Sequence, residues 1–164
     1  MEDLRLIELS KKDIPLVSEL AHTIWNQHYP SIIGQQQVDY MLKRMYSSES
    51  IEEQMEKKGH LFFLIRFNHQ PTGFVSVHEE KPGHWFLNKF YIDQRKAATG
   101  LGTRAFELLL KKIVPEEITL TVNRKNFKSI NFYFKNGFRI EEVKDFDIGQ
   151  GYLMEDFIMK RKKK

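Results

Sequence analysis

The sequence predicts one α+β domain built on a mixed, mostly antiparallel sheet of about seven strands flanked by helices. Segments rich in β-branched and aromatic residues recur along the chain, and segments with apolar residues three and four positions apart lie between them. Two turn-rich links join three consecutive strands, which indicates an antiparallel meander. The predicted element order is β-α-α-β-β-β-α-β-α-β-β. No linker or repeat interrupts residues 1–164, so we draw no domain boundary.

The first third of the chain predicts a strand followed by helices. Residues 4–9 alternate well enough for the strand, and Ser10 is placed to cap the first helix. A second helical stretch follows Gly34. The pattern Ser50-Ile-Glu-Glu indicates a capping box that opens a short polar helix ending at Gly59.

The remaining two thirds predict six strands and two helices. The helices are an amphipathic one that follows Gly102 and a short one over residues 128–136. The predicted strands are Leu61–Phe67, Phe74–His78, His84–Ile92, Ile118–Val122, Phe138–Val143 and Tyr152–Met159.

A glycine-bearing loop between the strand at residues 84–92 and the amphipathic helix indicates an anion site. Gly100 and Gly102 remove side chains where the helix begins, and a helix start carries unpaired N–H donors and a partial positive charge. Arg95, Lys96 and Arg104 are expected to add positive field, so a pyrophosphate is the natural ligand. No Gly-Lys-Ser/Thr follows, and the three-glycine dinucleotide pattern is absent. The alternative is a plain strand-to-helix turn.

Composition limits the classes of function that the chain can have. Hydrophobic content of 41% favours a globular chain, and the absence of cysteine excludes disulfides and thiolate metal sites. We expect a cytoplasmic protein with no membrane partner, because no apolar run has the length of a membrane span. Part of the +4 net charge lies in the basic run 160–164, which we expect to be frayed. The rest of the chain is nearly balanced, so we expect no nucleic-acid partner, although a tail contact is an alternative.

A second segment, residues 120–138, carries a family resemblance. Asn126 follows a strand, Tyr133 comes seven residues later, and Gly137-Phe138 close the helix. Together with the Gly100/Gly102 loop, this segment resembles the acetyl-CoA-dependent GNAT N-acetyltransferase superfamily. The predicted element order fits that fold from Leu4 to Lys160, so the resemblance implies a GNAT-like sheet.

The resemblance implies acetyl-CoA as cosubstrate and no metal. Backbone groups of Phe90, Tyr91 and Ile92 would pair with the pantetheine arm, and Asn126 would hydrogen-bond that arm. The pyrophosphate would be held by the amides of Ala97, Ala98, Thr99, Gly100, Leu101, Gly102 and Thr103. The family loop usually has Gln or Arg where this chain has Ala97. Since backbone donors hold the phosphate, we expect binding to survive. We also expect a bulky residue at Gly102 to block the backbone's approach to it.

Acetyl transfer to an amine needs a proton for the departing thiolate and a neutral nucleophile. By the resemblance, Tyr133 lies near the sulfur and is the catalytic proton donor; the alternative is an aromatic residue packed in the core. Many relatives place a Glu where this chain has Phe86, so no general base is evident. The nearby ionisable residues are more typical of surface or packing positions, and a water chain is an alternative; these residues are His28, His78, Glu79, Glu80 and His84.

The acceptor in this fold is selected by the first helices and the last hairpin. The residues at these places are Trp25, His28, Tyr29, Asp145, Asp147, Tyr152, Glu155 and Asp156. Acidic and aromatic groups suit a cationic amine, such as a polyamine or a lysine-type amine, on a small molecule or a protein. Asp145 and Asp147 are alternatively turn formers. The alternative function is a catalytically silent acyl-CoA-binding or regulatory module, and a homodimer is left open.

Overall fold

The computed structural model describes residues 2–164, which form one seven-stranded sheet with helices on both faces. A 3-10 turn at Lys11–Asp13 precedes the first α-helix. In chain order the elements are β1 (Leu4–Glu8), α1 (Ile14–His28), α2 (Pro30–Ile33), α3 (Gln35–Tyr46), α4 (Ser48–Glu56), β2 (Leu61–Phe67), β3 (Gln70–Lys81), β4 (His84–Ile92), α5 (Leu101–Ile113), β5 (Glu117–Asn123), α6 (Phe127–Lys135), β6 (Arg139–Asp147) and β7 (Leu153–Lys162).

The strands lie in the order β1-β2-β3-β4-β5-β7-β6. Every neighbouring pair among these strands is antiparallel except β4 and β5, which are parallel. The predicted mixed, mostly antiparallel sheet and the meander of β2, β3 and β4 are therefore confirmed.

Two apolar cores lie on opposite faces of the sheet, because successive strand side chains point to opposite sides. Helices α5 and α6 cover one face, where Phe106 and Phe138 are fully buried. Helices α1, α3 and α4 cover the other face, where Trp25 and Tyr46 are buried among aliphatic side chains. No helix within residues 2–164 is long and apolar enough to cross a membrane.

The helical region before β2 differs from the prediction. It contains four α-helices, whereas the predicted order gave two. The predicted cap at Ser50 is wrong, because α4 begins at Ser48 and its N-cap is Ser47. Ser47 has an extended backbone, and its hydroxyl accepts a hydrogen bond from the Ser50 amide at 3.2 Å. Ser50 therefore supplies the donor of the cap and not its acceptor.

The basic run at 160–164 is not a frayed tail. Lys160, Arg161 and Lys162 are the last residues of β7 and pair with Thr119, Ile118 and Glu117 of β5. The Arg161 Nε donates to the Asn136 carbonyl at 3.0 Å, and the Lys163 amide donates to the Glu116 carbonyl at 2.8 Å. The run of basic residues had suggested a solvated backbone. Instead, the backbone of residues 160–162 is hydrogen-bonded to β5.

Candidate active site

The sheet opens between β4 and β5. Their pairing covers only residues 84–86 of β4 and 117–119 of β5. Beyond that point, within residues 2–164, the edge of β4 that faces β5 has no strand partner from Leu87 to Ile92. Asn88 is an extra residue in the ladder with β3, because Leu87 and Lys89 pair with consecutive residues there. Such a bulge bends the strand, which accounts for its divergence from β5.

Two cavities meet at this opening. The larger, of about 480 Å³, lies between the end of β4, the loop before α5, and α6. The smaller, of about 110 Å³, lies between β4, β5 and β7 and the helices α1, α2 and α3. The residues that line both cavities are Tyr29, Phe90, Tyr91, Ser129 and Tyr133. A long ligand in the larger cavity and a short one in the smaller would therefore contact each other beside Tyr133.

The loop before α5 presents unpartnered amides to the larger cavity. Gly100 is the N-cap of α5 and has φ of +76°, a conformation that favours glycine. The Leu101 amide is not available to a ligand, because it already donates to the Ala98 carbonyl at 3.1 Å. Among residues 97–103, the amides without a protein acceptor are those of Ala97, Ala98, Thr99, Gly100, Gly102 and Thr103. This arrangement can bind an anion.

The Cα of Gly102 faces Phe132 of α6, although the residue also lines the larger cavity. A Cβ at this position would lie 2.8 Å from Cε1 of Phe132. The Phe132 ring is stacked on Phe90 of β4, with ring centroids 5.5 Å apart. The expectation that Gly102 also lets the backbone approach a phosphate stays a prediction. The glycine allows α5 and α6 to pack closely beneath the cavity, and a side chain there would displace the Phe132–Phe90 stack.

The positive charge beside the loop comes from different residues than the sequence suggested. Lys128 and Lys135 of α6 line the larger cavity, and Lys128 Nζ also donates to Gln94 at 2.7 Å. The three basic residues expected there are held by groups outside the cavity: Arg95 by Asp93, Lys96 by the Pro71 carbonyl, and Arg104 by Glu2. The hydrogen bonds from Arg95 lower the pKa of Asp93 to about 2, so this pair persists at neutral pH.

Tyr133 lies on α6 at the junction of the cavities. Its ring belongs to the core and packs edge-on against Phe132 and Phe138. Burial, and then the neighbouring Tyr29, raise the pKa of Tyr133 well above its ordinary value. The phenol is therefore protonated at neutral pH, as a proton donor must be, although the raised pKa also makes it a weaker acid. Tyr133 therefore both packs in the core and lines the junction, so the two alternative positions given for it do not exclude each other.

Asn126 lines the smaller cavity but not the larger one. It is the N-cap of α6, where its Oδ1 accepts from the Ser129 amide at 3.4 Å. The same oxygen lies 3.0 Å from Nε2 of His28, and its Nδ2 donates to the Tyr29 hydroxyl at 3.4 Å. Its side chain is thus engaged within the protein. Of the other predicted cofactor contacts, Thr99 lines neither cavity, and the rest line the larger one.

Most of the residues considered as a general base make structural contacts away from the junction. Phe86 replaces the family's Glu and stacks on His78 at 5.5 Å. His28 lines the larger cavity. The remaining contacts are His78 with Asn88 at 2.9 Å, His84 with Glu117 at 2.8 Å, and Glu79 with the Gly83 amide at 3.0 Å.

Two buried ionisable residues line the smaller cavity, and the sequence analysis named only one of them, Asp156. Lys89 of β4 is 5% exposed, and its Nζ donates to Gln54 at 2.8 Å. Burial lowers the pKa of Lys89 to about 7. Asp156 of β7 is 3% exposed, and it was one of several acidic residues in the last hairpin. The burial of both depends on strand packing, which no local pattern reveals. The apolar wall residues include Trp25, Ile33, Met41, Met45 and Met154.

Comparison with known proteins finds that this chain is similar to acetyltransferases. The family described as acetyltransferase (GNAT) domain matches residues 31–148. A spermidine N(1)-acetyltransferase of Thermoplasma acidophilum is 24% identical over 163 residues, which covers 94% of each chain. A solved structure of the PaiA N-acetyltransferase from that organism, in complex with coenzyme A, superposes with a TM-score of 0.76 over 99% of both chains at 24% identity. An acetyltransferase structure from Thermus thermophilus superposes with a TM-score of 0.72 at 18% identity, over 98% of this chain and 97% of that one.

Proposed function

The chain belongs to the GNAT acetyltransferase family, and we propose that it transfers the acetyl group of acetyl-CoA to a primary amine of a small cationic molecule. The amine attacks directly while both substrates are bound, and residues 1–164 act as one catalytic domain. The observation that carries the proposal is the position of Tyr133, which lines both the larger and the smaller cavity. A proton donor at that junction can reach a sulfur in one cavity while an amine approaches from the other.

The larger cavity has the features that a CoA thioester requires. Unpartnered amides at the start of α5 suit the pyrophosphate, and Lys128 and Lys135 add positive charge. The unpaired edge of β4 at residues 90–92 offers backbone groups to the pantetheine arm, as an added strand would. A related structure of the same fold holds coenzyme A, which supports this assignment. Ala97 lacks the Gln or Arg side chain that is usual in the family loop, but the amides remain available.

The residues around the junction supply the steps of acyl transfer. Acetyl-CoA provides the acetyl group as an activated thioester. An amide on the free edge of β4 polarises the thioester carbonyl by donating a hydrogen bond to its oxygen. The amine nitrogen forms the new C–N bond as the C–S bond breaks, and Tyr133 donates its phenol proton to the departing sulfur. Solvent then returns a proton to Tyr133, and the nitrogen releases its surplus proton.

The smaller cavity suits the acceptor. A free alkylamine has a pKa of about 10.4 in water, so it must lose a proton before it attacks. Apolar walls disfavour the charged form of a reacting nitrogen and so help to deprotonate it. A relative is named for spermidine acetylation, which supports a small amine acceptor.

The proposal is tested by mixing the protein with acetyl-CoA and a panel of small amines, and following thiol release. At least one amine is expected to raise release well above the rate in buffer. Calorimetry with acetyl-CoA alone, without amine, is the control for cofactor binding. If acetyl-CoA binds and no amine raises thiol release, the enzyme assignment is wrong, and the chain is instead a silent acyl-CoA-binding module.

A further inference from the structure

We infer that Asp156 binds a second, non-reacting ammonium group of the acceptor, so that the enzyme prefers diamines and polyamines to monoamines. This inference rests on the proposed acetyl transfer and adds to it the residue that selects the substrate. It follows from the environment of one carboxylate.

Asp156 is a buried carboxylate with one oxygen that has no hydrogen-bond partner. It lies in the wall of the smaller cavity and is 3% exposed. Its Oδ1 accepts no hydrogen bond, and within residues 2–164 no basic side chain forms an ion pair with it. Buried polar atoms are nearly always hydrogen-bonded, and buried charges are nearly always paired. A carboxylate in a cavity wall with an unpaired oxygen and no basic partner therefore indicates a ligand that supplies the positive charge.

The nearest basic group is already engaged. Arg124 pairs with Asp145 at 2.9 Å and with Glu155 at 3.3 Å. Toward Asp156 it donates only to the backbone carbonyl, at 3.2 Å. Lys89, on another wall of the same cavity, donates to Gln54, so it does not neutralise Asp156 either.

Groups from every neighbouring element set the charge of Asp156. Burial, and then Asp145 of β6, raise its pKa, while Arg124 and the Thr121 hydroxyl of β5 oppose this rise. The result is a pKa of about 6. Tyr29, after α1, also interacts with Asp156 and has a pKa raised to about 12, chiefly by burial, so it stays neutral. At neutral pH the cavity wall therefore contains an ionised Asp156 without a basic partner.

An ammonium bound to this carboxylate is not the nucleophile. The opposite charge keeps the bound nitrogen protonated, and a protonated nitrogen has no lone pair for attack. The attacking nitrogen must therefore be a second one, at the junction beside Tyr133. Asp156 lines only the smaller cavity, whereas Tyr133 lines both, so the acceptor extends between them. Met41, Met45 and Met154 in the cavity wall suit the methylene chain that joins the two nitrogens.

The test compares putrescine and butylamine, which share a four-carbon chain and differ by one amino group. The wild-type enzyme is expected to prefer putrescine in kcat/KM by about tenfold to one hundredfold, which is the range for a charge-assisted hydrogen bond. In Asp156→Asn this ratio is expected to fall to about one, through a higher KM for putrescine, while butylamine turnover changes little. Asp156→Glu is expected to retain part of the preference. Glu142→Gln, at an exposed position of β6 in the same hairpin, is the matched control and is expected to retain all of it.

The inference is overturned if folded Asp156→Asn, verified by circular dichroism, keeps the putrescine preference. It is also overturned if both amines lose kcat equally with KM unchanged, because that result belongs to a group acting on the reacting nitrogen. If wild-type protein acetylates neither amine, the proposed function fails instead. Calorimetric titration of putrescine into CoA-saturated protein then tests ammonium binding by Asp156. If Asp156→Asn binds putrescine as tightly as wild type does, Asp156 does not bind the ammonium group.

Discussion

Asp156→Asn is expected to stabilise the unliganded protein at neutral pH. In the folded chain the pKa of Asp156 is about 6, against an ordinary value of 3.8. A difference of this size corresponds to about 3 kcal/mol of destabilisation when the carboxylate is ionised in both states. The asparagine amide buries its own polar atoms, which offsets part of the gain. We therefore expect a net increase in the free energy of unfolding of about 1–3 kcal/mol.

The pH dependence of this increase has a definite sign. Because the folded-state pKa is raised, the folded protein binds more protons than the unfolded chain between about pH 4 and 6. The wild-type protein thus loses stability as pH rises through this window. Asparagine has no such loss, so the advantage of the variant grows from near zero at about pH 4 to its full value above about pH 7.

Urea unfolding of wild type and variant between pH 5 and 8 measures this advantage, with the slope m expected to be unchanged. Each kcal/mol corresponds to a rise of about 2–4 °C in Tm for a domain of this size. Glu142→Gln is the control, because Glu142 is an exposed residue of the same hairpin and a substitution at such a position changes stability little. If Asp156→Asn is less stable than wild type at neutral pH, or if the difference does not vary with pH, Asp156 is a paired structural carboxylate and the reasoning fails.

Further predictions concern the junction, the loop and the second buried charge. Tyr133→Phe is expected to lower kcat about 100-fold or more while the Kd for acetyl-CoA changes less than about twofold; an unchanged kcat by thiol release removes Tyr133 from the role of proton donor. Gly102→Val is expected to weaken acetyl-CoA binding by displacing Phe132 from Phe90, and an unchanged Kd by calorimetry contradicts this role of the glycine. Lys89→Met is expected to raise the free energy of unfolding by about 1–3 kcal/mol at pH 7, because the folded-state pKa near 7 makes protonated Lys89 unfavourable. That gain in stability should shrink as pH approaches 10. A gain that is constant with pH contradicts the lowered pKa of Lys89. The putrescine preference is expected to fall as pH decreases through about 6, where Asp156 becomes protonated, and a preference that persists at pH 5 counts against an ionic contact.

Local patterns in the sequence were sufficient for the meander and for α5, although the helix was expected to follow Gly102 and begins at Leu101. Each of these depends on residues close together in the chain, such as alternating apolar side chains or a glycine before a helix. The family resemblance added the roles of Tyr133 and the β4 edge, which stay predictions here. Their placement at one junction is a property of the fold.

Features that depend on distant contacts were missed or misassigned. Arg95 and Arg104 looked like phosphate ligands because they are close to the loop in sequence, yet Asp93 and Glu2 bind them. The unpartnered state of Asp156 arises because Arg124 pairs with Asp145 and Glu155 instead, which depends on the packing of β5, β6 and β7. No spacing rule distinguishes Asp156 from the other acidic residues of that hairpin.

The proposed arrangement of the two substrates depends most directly on the amides at the start of α5. Titration of ¹⁵N-labelled protein with CoA, and separately with pantetheine, which lacks the pyrophosphate, tests them by NMR. CoA is expected to shift the amide resonances of Gly102 and Thr103 strongly, and pantetheine is not. The Leu101 amide, which already donates to Ala98, is expected to respond less. If CoA binds without shifting Gly102 and Thr103, the pyrophosphate lies elsewhere, and the proposed arrangement of the two substrates is wrong.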